Sequence, residues 1–207
     1  MTALEVVTQA RAIPVLRGKS ADAMLEVAHV LLEEGFKFLE VTFTVPNALE
    51  VMRELGKVSG AIVGAGTVLE IAQYRAAEKA GAKFAVSPGV DVSVLEFAKG
   101  RKVPLIPGVF TPSEVMCARA YGFTVQKLFP GELGGIAHLK SLRGPFPDLH
   151  FMPTGGVNNA NIQDWANAGA IAVGIGSSLR GDGDLAGIRA RAQELRQVLD
   201  RVEWGSG

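Results

Sequence analysis

The feature that most constrains the fold is an alternation. Short apolar runs of buried-strand length take turns with longer stretches patterned for helices. Eight runs predict strands, at 13–16, 38–42, 61–64, 84–87, 105–107, 125–129, 150–154 and 172–175. Helical patterns occupy 21–34, 48–58, 70–80, 93–99, 113–121, 136–142, 161–168 and 185–202. Gly35, Gly81, Gly122 and Gly169 each follow a helical stretch and precede a strand, where a left-handed residue ends a helix. Ser20 with Asp22, Pro46, and Thr111-Pro112-Ser113-Glu114 mark helix starts. Strands separated by helices pair in parallel, because a parallel connection needs a crossover.

Two closures satisfy that pattern, an open doubly wound sheet and an eight-stranded barrel. The first strand ends in Leu16-Arg17-Gly18-Lys19, without the G-x-G-x-x-G fingerprint usual after the first strand of an open sheet. The strand count and its regular spacing favour a single-domain (β/α)8 TIM barrel with parallel strands, covering residues 1–207. That length is at the short end of the barrel range, roughly 200 to 400 residues. No composition shift or linker divides the chain.

Charge and cysteine usage narrow the function. Basic and acidic residues number 21 each, so the basic excess of a nucleic-acid binder is missing. Cys117 stands alone, which excludes an internal disulfide and cysteine-based zinc clusters and fits a reducing cytoplasm. No apolar run reaches the roughly eighteen residues of a membrane span. Glu5 and Arg11 interrupt the N-terminal apolar pattern, unlike a signal peptide. Residues 203–207 read as a frayed end.

Two strands carry a charge where burial should forbid one. Side chains alternate along a strand, so in Phe38-Leu39-Glu40-Val41-Thr42 the glutamate shares a face with Phe38 and Thr42. Leu39 and Val41 suit the outer face that meets helices, which turns Glu40 inward. In Val125-Gln126-Lys127-Leu128-Phe129 the same parity turns Lys127 inward, although Gln126 on the other face blurs the assignment. Inward charges are rare unless paired. One reading is a structural ion pair across the barrel. The other is chemical: burial favours the uncharged amine, and a free amine attacks a ketone to form a Schiff base. Glu40 would then shuttle protons.

Glycine clusters supply a second signal. Pro153-Thr154-Gly155-Gly156 ends the seventh predicted strand, and Gly174-Ile175-Gly176-Ser177 ends the eighth. Barrels commonly bind phosphate at these two loops, where backbone N–H groups approach an anion closely. Each glycine pair alone reads equally as a turn. Arg17 would neighbour the loops if strand eight meets strand one. Gly64-Ala65-Gly66-Thr67 and Ser87-Pro88-Gly89 end strands three and four and read as turns or as further mouth residues. Pro107-Gly108 reads as a turn. His29, His138 and His150 have no metal-ligand spacing, so no metal site is expected. Trp165 and Phe36 read as packing residues and Cys117 as a small buried hydrophobe. Asp182 and Asp184 would solvate their loop or cap the last helix.

Taken in order, Leu39-Glu40-Val41-Thr42, Gly64-Ala65-Gly66-Thr67-Val68, Ser87-Pro88-Gly89, Lys127-Leu128-Phe129-Pro130-Gly131-Glu132, Pro153-Thr154-Gly155-Gly156 and Gly176-Ser177 resemble the 2-keto-3-deoxy-6-phosphogluconate (KDPG) aldolase family. Many of its members also cleave 4-hydroxy-2-oxoglutarate. The resemblance spans residues 13–179. It implies a class I aldolase on a barrel, with no metal or other cofactor. Lys127 matches the Schiff-base lysine and Glu40 the acid/base. Thr67 matches a threonine that holds the pyruvate part, and Thr154 another substrate contact. Gly155, Gly156 and Ser177 match the phosphate site, with Arg17 beside it, and Gly176 is a further substrate-binding position. The implied partners are a phosphorylated keto acid and pyruvate, with neither nucleic acid nor membrane, in a cytoplasmic homotrimer of the Entner–Doudoroff route. Some relatives carry an arginine just after the glutamate strand; here Thr44 stands there, which leaves Arg17 and backbone N–H groups to meet the substrate carboxylate. Thr154 favours the gluconate-type over the galactonate-type aldolase.

Two rival functions fit the residues. A sugar-phosphate isomerase or epimerase on the same barrel would need no lysine imine. A non-catalytic phosphate-ligand module would have no use for an inward amine. Release of pyruvate separates all three.

Overall fold

A computed structural model describes residues 1–181 and 183–204. Asp182 and residues 205–207 of the expected frayed end lie outside it.

The segment before the first strand, given no element above, is a helix, α1 (Ala3–Ala10). A capping box starts it: Thr2 Oγ1 accepts from the Glu5 N–H, and the Glu5 carboxylate accepts from the Thr2 N–H at 2.7 Å. Then β1 (Ala12–Leu16), α2 (Ala21–Glu33), β2 (Phe38–Thr42), α3 (Ala48–Gly56), β3 (Ile62–Gly66), α4 (Ile71–Lys79), β4 (Ala85–Val86) and α5 (Val92–Ala98) alternate along the chain. The second half runs β5 (Leu105–Ile106), β6 (Gly108–Val109), α6 (Pro112–Ala120), β7 (Val125–Leu128), α7 (Gly131–Arg143), β8 (His150–Pro153), α8 (Ile162–Asn167), β9 (Val173–Ile175), α9 (Ser177–Arg180) and α10 (Leu185–Leu199). Gly35, Gly81, Gly122 and Gly169 all adopt positive φ after their helices, as expected of C-terminal stops. Asp184 caps α10, accepting from Ala186 and Gly187. Pro46 lies just outside α3, whose cap is Asn47 in the left-handed region.

The strands form a curled parallel sheet. One ladder orders β5-β4-β3-β2-β1-β9 and another β6-β7-β8, with every pairing parallel. Two bridges, Phe151 to Ala170 and Thr154 to Gly174, join the β8 side to the β9 side. The reading of Pro107-Gly108 as a turn is overturned. Gly108 pairs with Lys127 and Val109 with Leu128, so the strand direction continues past the proline. Pro107 has no N–H to extend the β5 ladder, yet its carbonyl accepts from the Lys127 N–H at 2.9 Å. Gly108 serves close approach: a Cβ there would lie 2.7 Å from the Gly89 nitrogen.

Each strand presents one face to the helices and one to the interior. The outer layer joins Leu39, Val41, Leu128 and Ile175 of the strands with helix residues such as Leu31, Leu55 and Leu195. The inner layer collects Ile13, Phe38, Phe84, Val86, Ile106, Val125 and Met152. Val6 and Val7 of α1 pack into that inner cluster beside the first residues of the strands and cover its amino-terminal end. The apolar filling stops short of the carboxyl-terminal strand ends, and the polar residues begin there.

Candidate active site

Strand parity carries Glu40 and Lys127 to the interior. Phe38 below Glu40 and Val125 below Lys127 belong to the inner cluster, whereas Leu39, Val41 and Leu128 belong to the outer one. Gln126 is also outward; its amide donates to the Phe123 carbonyl at 2.9 Å and to that of Val115, which explains a polar residue on that face. Lys127 Nζ stands 3.6 Å from Glu40 Oε1, with both side chains almost wholly buried. The gap exceeds a hydrogen bond and is short enough for proton exchange after a small side-chain rotation. Neither Glu40 oxygen has a hydrogen-bond partner within the protein. Buried polar atoms normally find one; here Oε1 faces the Lys127 ammonium group and both oxygens keep their hydrogen-bonding capacity.

Neighbouring glycines make the pair possible. A Cβ on Gly66 would lie 2.6 Å from Glu40 Cγ and overlap its carboxylate. A Cβ on Gly64 would overlap the Phe84 ring. β3 therefore contributes two inward glycines, one above the other, beside the two bulky inward groups.

Above Lys127 opens a cavity of about 190 Å³. Lys127, Arg17, Thr154, Gly155, Gly156, Gly176 and Ser177, all singled out in the sequence, line it. Thr154 Oγ1 is buried with no protein partner. Glu40 lies off the lining and reaches the cavity through Lys127. Thr67 also lies off the lining, next to Arg17, whose Nη2 is 3.5 Å from Thr67 Oγ1. Thr67 adopts φ 58°, a left-handed conformation that costs a β-branched residue about 1–3 kcal/mol. Thr44 contributes no charge; its hydroxyl lies 2.7 Å from that of Thr42, which donates to the Leu16 carbonyl.

Sequence reasoning missed Val15 and Phe129, although the inward parity of Ile13 and Lys127 extends to them; Gly174, part of the glycine cluster singled out in the sequence, also lines the cavity. Sequence reasoning also missed Arg180, which lines the cavity three residues after Ser177, one turn along α9. Residues assigned no role stay outside. His29 is exposed, Trp165 and Phe36 are buried in the outer core, and Cys117 is half-buried against it. His138 Nε2 meets the Phe110 carbonyl at 2.6 Å. Among the described residues, no three of His, Cys, Asp and Glu gather where they could hold a metal ion. No described helix is long and apolar enough to cross a membrane.

Fold and site together define the class: an α/β enzyme, a carbon–carbon lyase. The family model described as "Aldolase: KDPG and KHG aldolase" matches residues 4–190. The chain belongs to that family. The 2-dehydro-3-deoxy-phosphogluconate aldolase of Pseudomonas aeruginosa is 43% identical over 159 residues, 76% of this chain and 72% of its own. Among solved structures, the 2-keto-3-deoxy-6-phosphogluconate aldolase of Zymomonas mobilis ZM4 with 3-phosphoglycerate superposes with a TM-score of 0.88 at 33% identity, over 98% of this chain and 97% of that one. The KDPG aldolase of Legionella pneumophila, with pyruvate captured as a covalent carbinolamine, gives 0.85 at 31% identity over 98% of each chain.

Proposed function

We propose that the protein is a class I aldolase that cleaves 2-dehydro-3-deoxy-6-phosphogluconate to pyruvate and glyceraldehyde 3-phosphate, and also 4-hydroxy-2-oxoglutarate to pyruvate and glyoxylate. The observation that carries this reading is the buried amine of Lys127, 3.6 Å from a carboxylate that makes no hydrogen bond within the protein. The Lys127 amine adds to the C2 ketone, and the carbinolamine loses water to give an iminium. Glu40 moves the protons of both steps. The iminium then accepts the electron pair of the C3–C4 bond while Glu40 takes the C4 hydroxyl proton, which releases the aldehyde. Protonation of the remaining enamine at C3 and hydrolysis return the free amine and pyruvate.

Binding follows the cavity wall. Thr44 offers no cation, and Arg17 lies within 3.5 Å of the Thr67 hydroxyl, so Arg17 is the group for the C1 carboxylate at the pyruvate end. Thr154 contacts the reacting keto acid. Gly155, Gly156, Gly176 and Ser177 take the distal phosphate, where backbone N–H groups come close and the first amides of α9 have no partner inside their helix.

The scaffold for this chemistry is a closed (β/α)8 barrel. Its support is the pair of bridges between the β8 and β9 sides and the continuity of β5 into β6 across Pro107. With β5 and β6 taken as one strand, the count is eight. The same reading carries a cytoplasmic homotrimer in the Entner–Doudoroff route, and sedimentation of the purified protein reads the subunit number.

Borohydride reduction in the presence of pyruvate tests the chemistry. The expected product is a stable adduct mapped to the peptide holding Lys127, lost in Lys127→Met. An unmodified protein, or an adduct on another lysine, contradicts the scheme.

A further inference from the structure

We infer that Arg180 is a specificity-determining residue, the cation that reads the distal phosphate and sets the preference for a phosphorylated over an unphosphorylated keto acid. The inference rests on the aldolase reading above. It starts from geometry at the cavity mouth. Arg180 ends the single turn of α9 and lines the same cavity as Gly155, Gly156 and Ser177. Its Nη1 donates to the Arg17 backbone carbonyl at 3.1 Å, which folds the side chain back across the mouth toward the end of β1. That bond uses one of five guanidinium N–H donors. The backbone beneath is clamped from α10: Arg191 donates to the carbonyls of Leu179 at 2.9 Å and Arg180 at 2.8 Å. The cation is thus positioned from both ends before a ligand arrives.

Charge explains why a second cation belongs there. The proposed substrate carries one carboxylate and one phosphate, at opposite ends. Arg17 Nη2 lies 3.5 Å from Thr67 Oγ1, and the aldolase reading gives Arg17 to the C1 carboxylate. Arg180 is then the cation for the phosphate end, and its planar fork suits a phosphate oxygen pair. Among the described residues no carboxylate is ion-paired with Arg17 or Arg180, and none lines the cavity. The Glu132 carboxylate packs against Gly155 but is not part of the cavity wall. The glycine N–H groups meet a phosphate with partial charges only; Arg180 adds a full positive charge that only a phosphorylated substrate engages.

The test compares kcat/KM for 2-dehydro-3-deoxy-6-phosphogluconate and its unphosphorylated form, 2-dehydro-3-deoxygluconate, in the wild type, Arg180→Gln and Arg180→Met. Methionine keeps the apolar stem if glutamine disturbs folding, and a thermal melt checks each variant. The ratio of phosphorylated to unphosphorylated kcat/KM should fall about tenfold, through KM, the loss expected for a charged hydrogen bond at an exposed site. The salt dependence of the phosphorylated reaction should weaken with it. An unchanged ratio in a folded variant, or equal loss on both substrates, overturns the role of Arg180. A wild-type protein that releases pyruvate from neither substrate instead overturns the aldolase reading.

Discussion

Glu40 faces Lys127 because the adjoining strand has hydrogen atoms where side chains would be. Gly66 leaves the volume that the Glu40 carboxylate occupies, and Gly64 leaves room for Phe84. The pair is therefore specified by absences on β3 as much as by the two charged residues. A single methyl group makes the case testable. Gly66→Ala should push the carboxylate off Lys127 and lower kcat about 100-fold, the usual effect of misplacing a reacting group by about 1 Å. Steady-state kinetics with both keto acids read it, and borohydride trapping of pyruvate should slow in step. Wild-type kcat in a folded Gly66→Ala protein would detach Glu40 from the proton steps. Gln126 teaches the opposite lesson: its amide nitrogen donates to two backbone carbonyls, which ties this outward polar residue to the scaffold.

At the level of elements, a capped helix start ties down the chain that leaves β6. α6 begins with a capping box in which Thr111 Oγ1 accepts from the Glu114 N–H. The Glu114 carboxylate accepts from the N–H groups of Phe110 at 2.8 Å and Thr111 at 2.7 Å. Partial desolvation pushes this carboxyl's pKa up, but the backbone donors of Thr111 and Phe110 outweigh it and hold the value below the ordinary 4.5. A carboxyl depressed on folding stabilises the folded state above its unfolded pKa and loses that contribution as pH falls through the folded value. Glu114→Ala should accordingly melt about 2–4 °C below the wild type at pH 7, for a cap worth ~1 kcal/mol. The gap should narrow below about pH 4.5 and close in stronger acid. A gap constant from pH 7 to pH 3 would show that the carboxylate charge contributes nothing to the cap.

Across the whole molecule, two apolar layers carry the stability and one polar end carries the function. Phe84 is fully buried in the inner layer, beside Gly64, whose strand partner is Glu40. Phe84→Ala should cost about 3–5 kcal/mol, a large share of the roughly 5–15 kcal/mol typical of a domain. Urea unfolding should show a lowered midpoint with an unchanged slope. A loss under 1 kcal/mol would mean that the inner layer closes over the missing ring. The legibility of the protein divides along the same physical line. The inward turn of Glu40 and Lys127, the glycine stops after four helices and the parallel pairing of the strands were readable from the sequence, because strand parity, left-handed backbone and crossover length are local properties of a chain. The cover made by α1, the passage of the strand through Pro107 into Gly108, the fit of Gly66 against Glu40 and the place of Arg180 on the cavity were not. Each depends on which distant segments touch, and an exposed arginine on a one-turn helix has no periodicity to announce it. Local rules decided which residues face inward; only the packing of the strands decided how close they come and what else stands beside them.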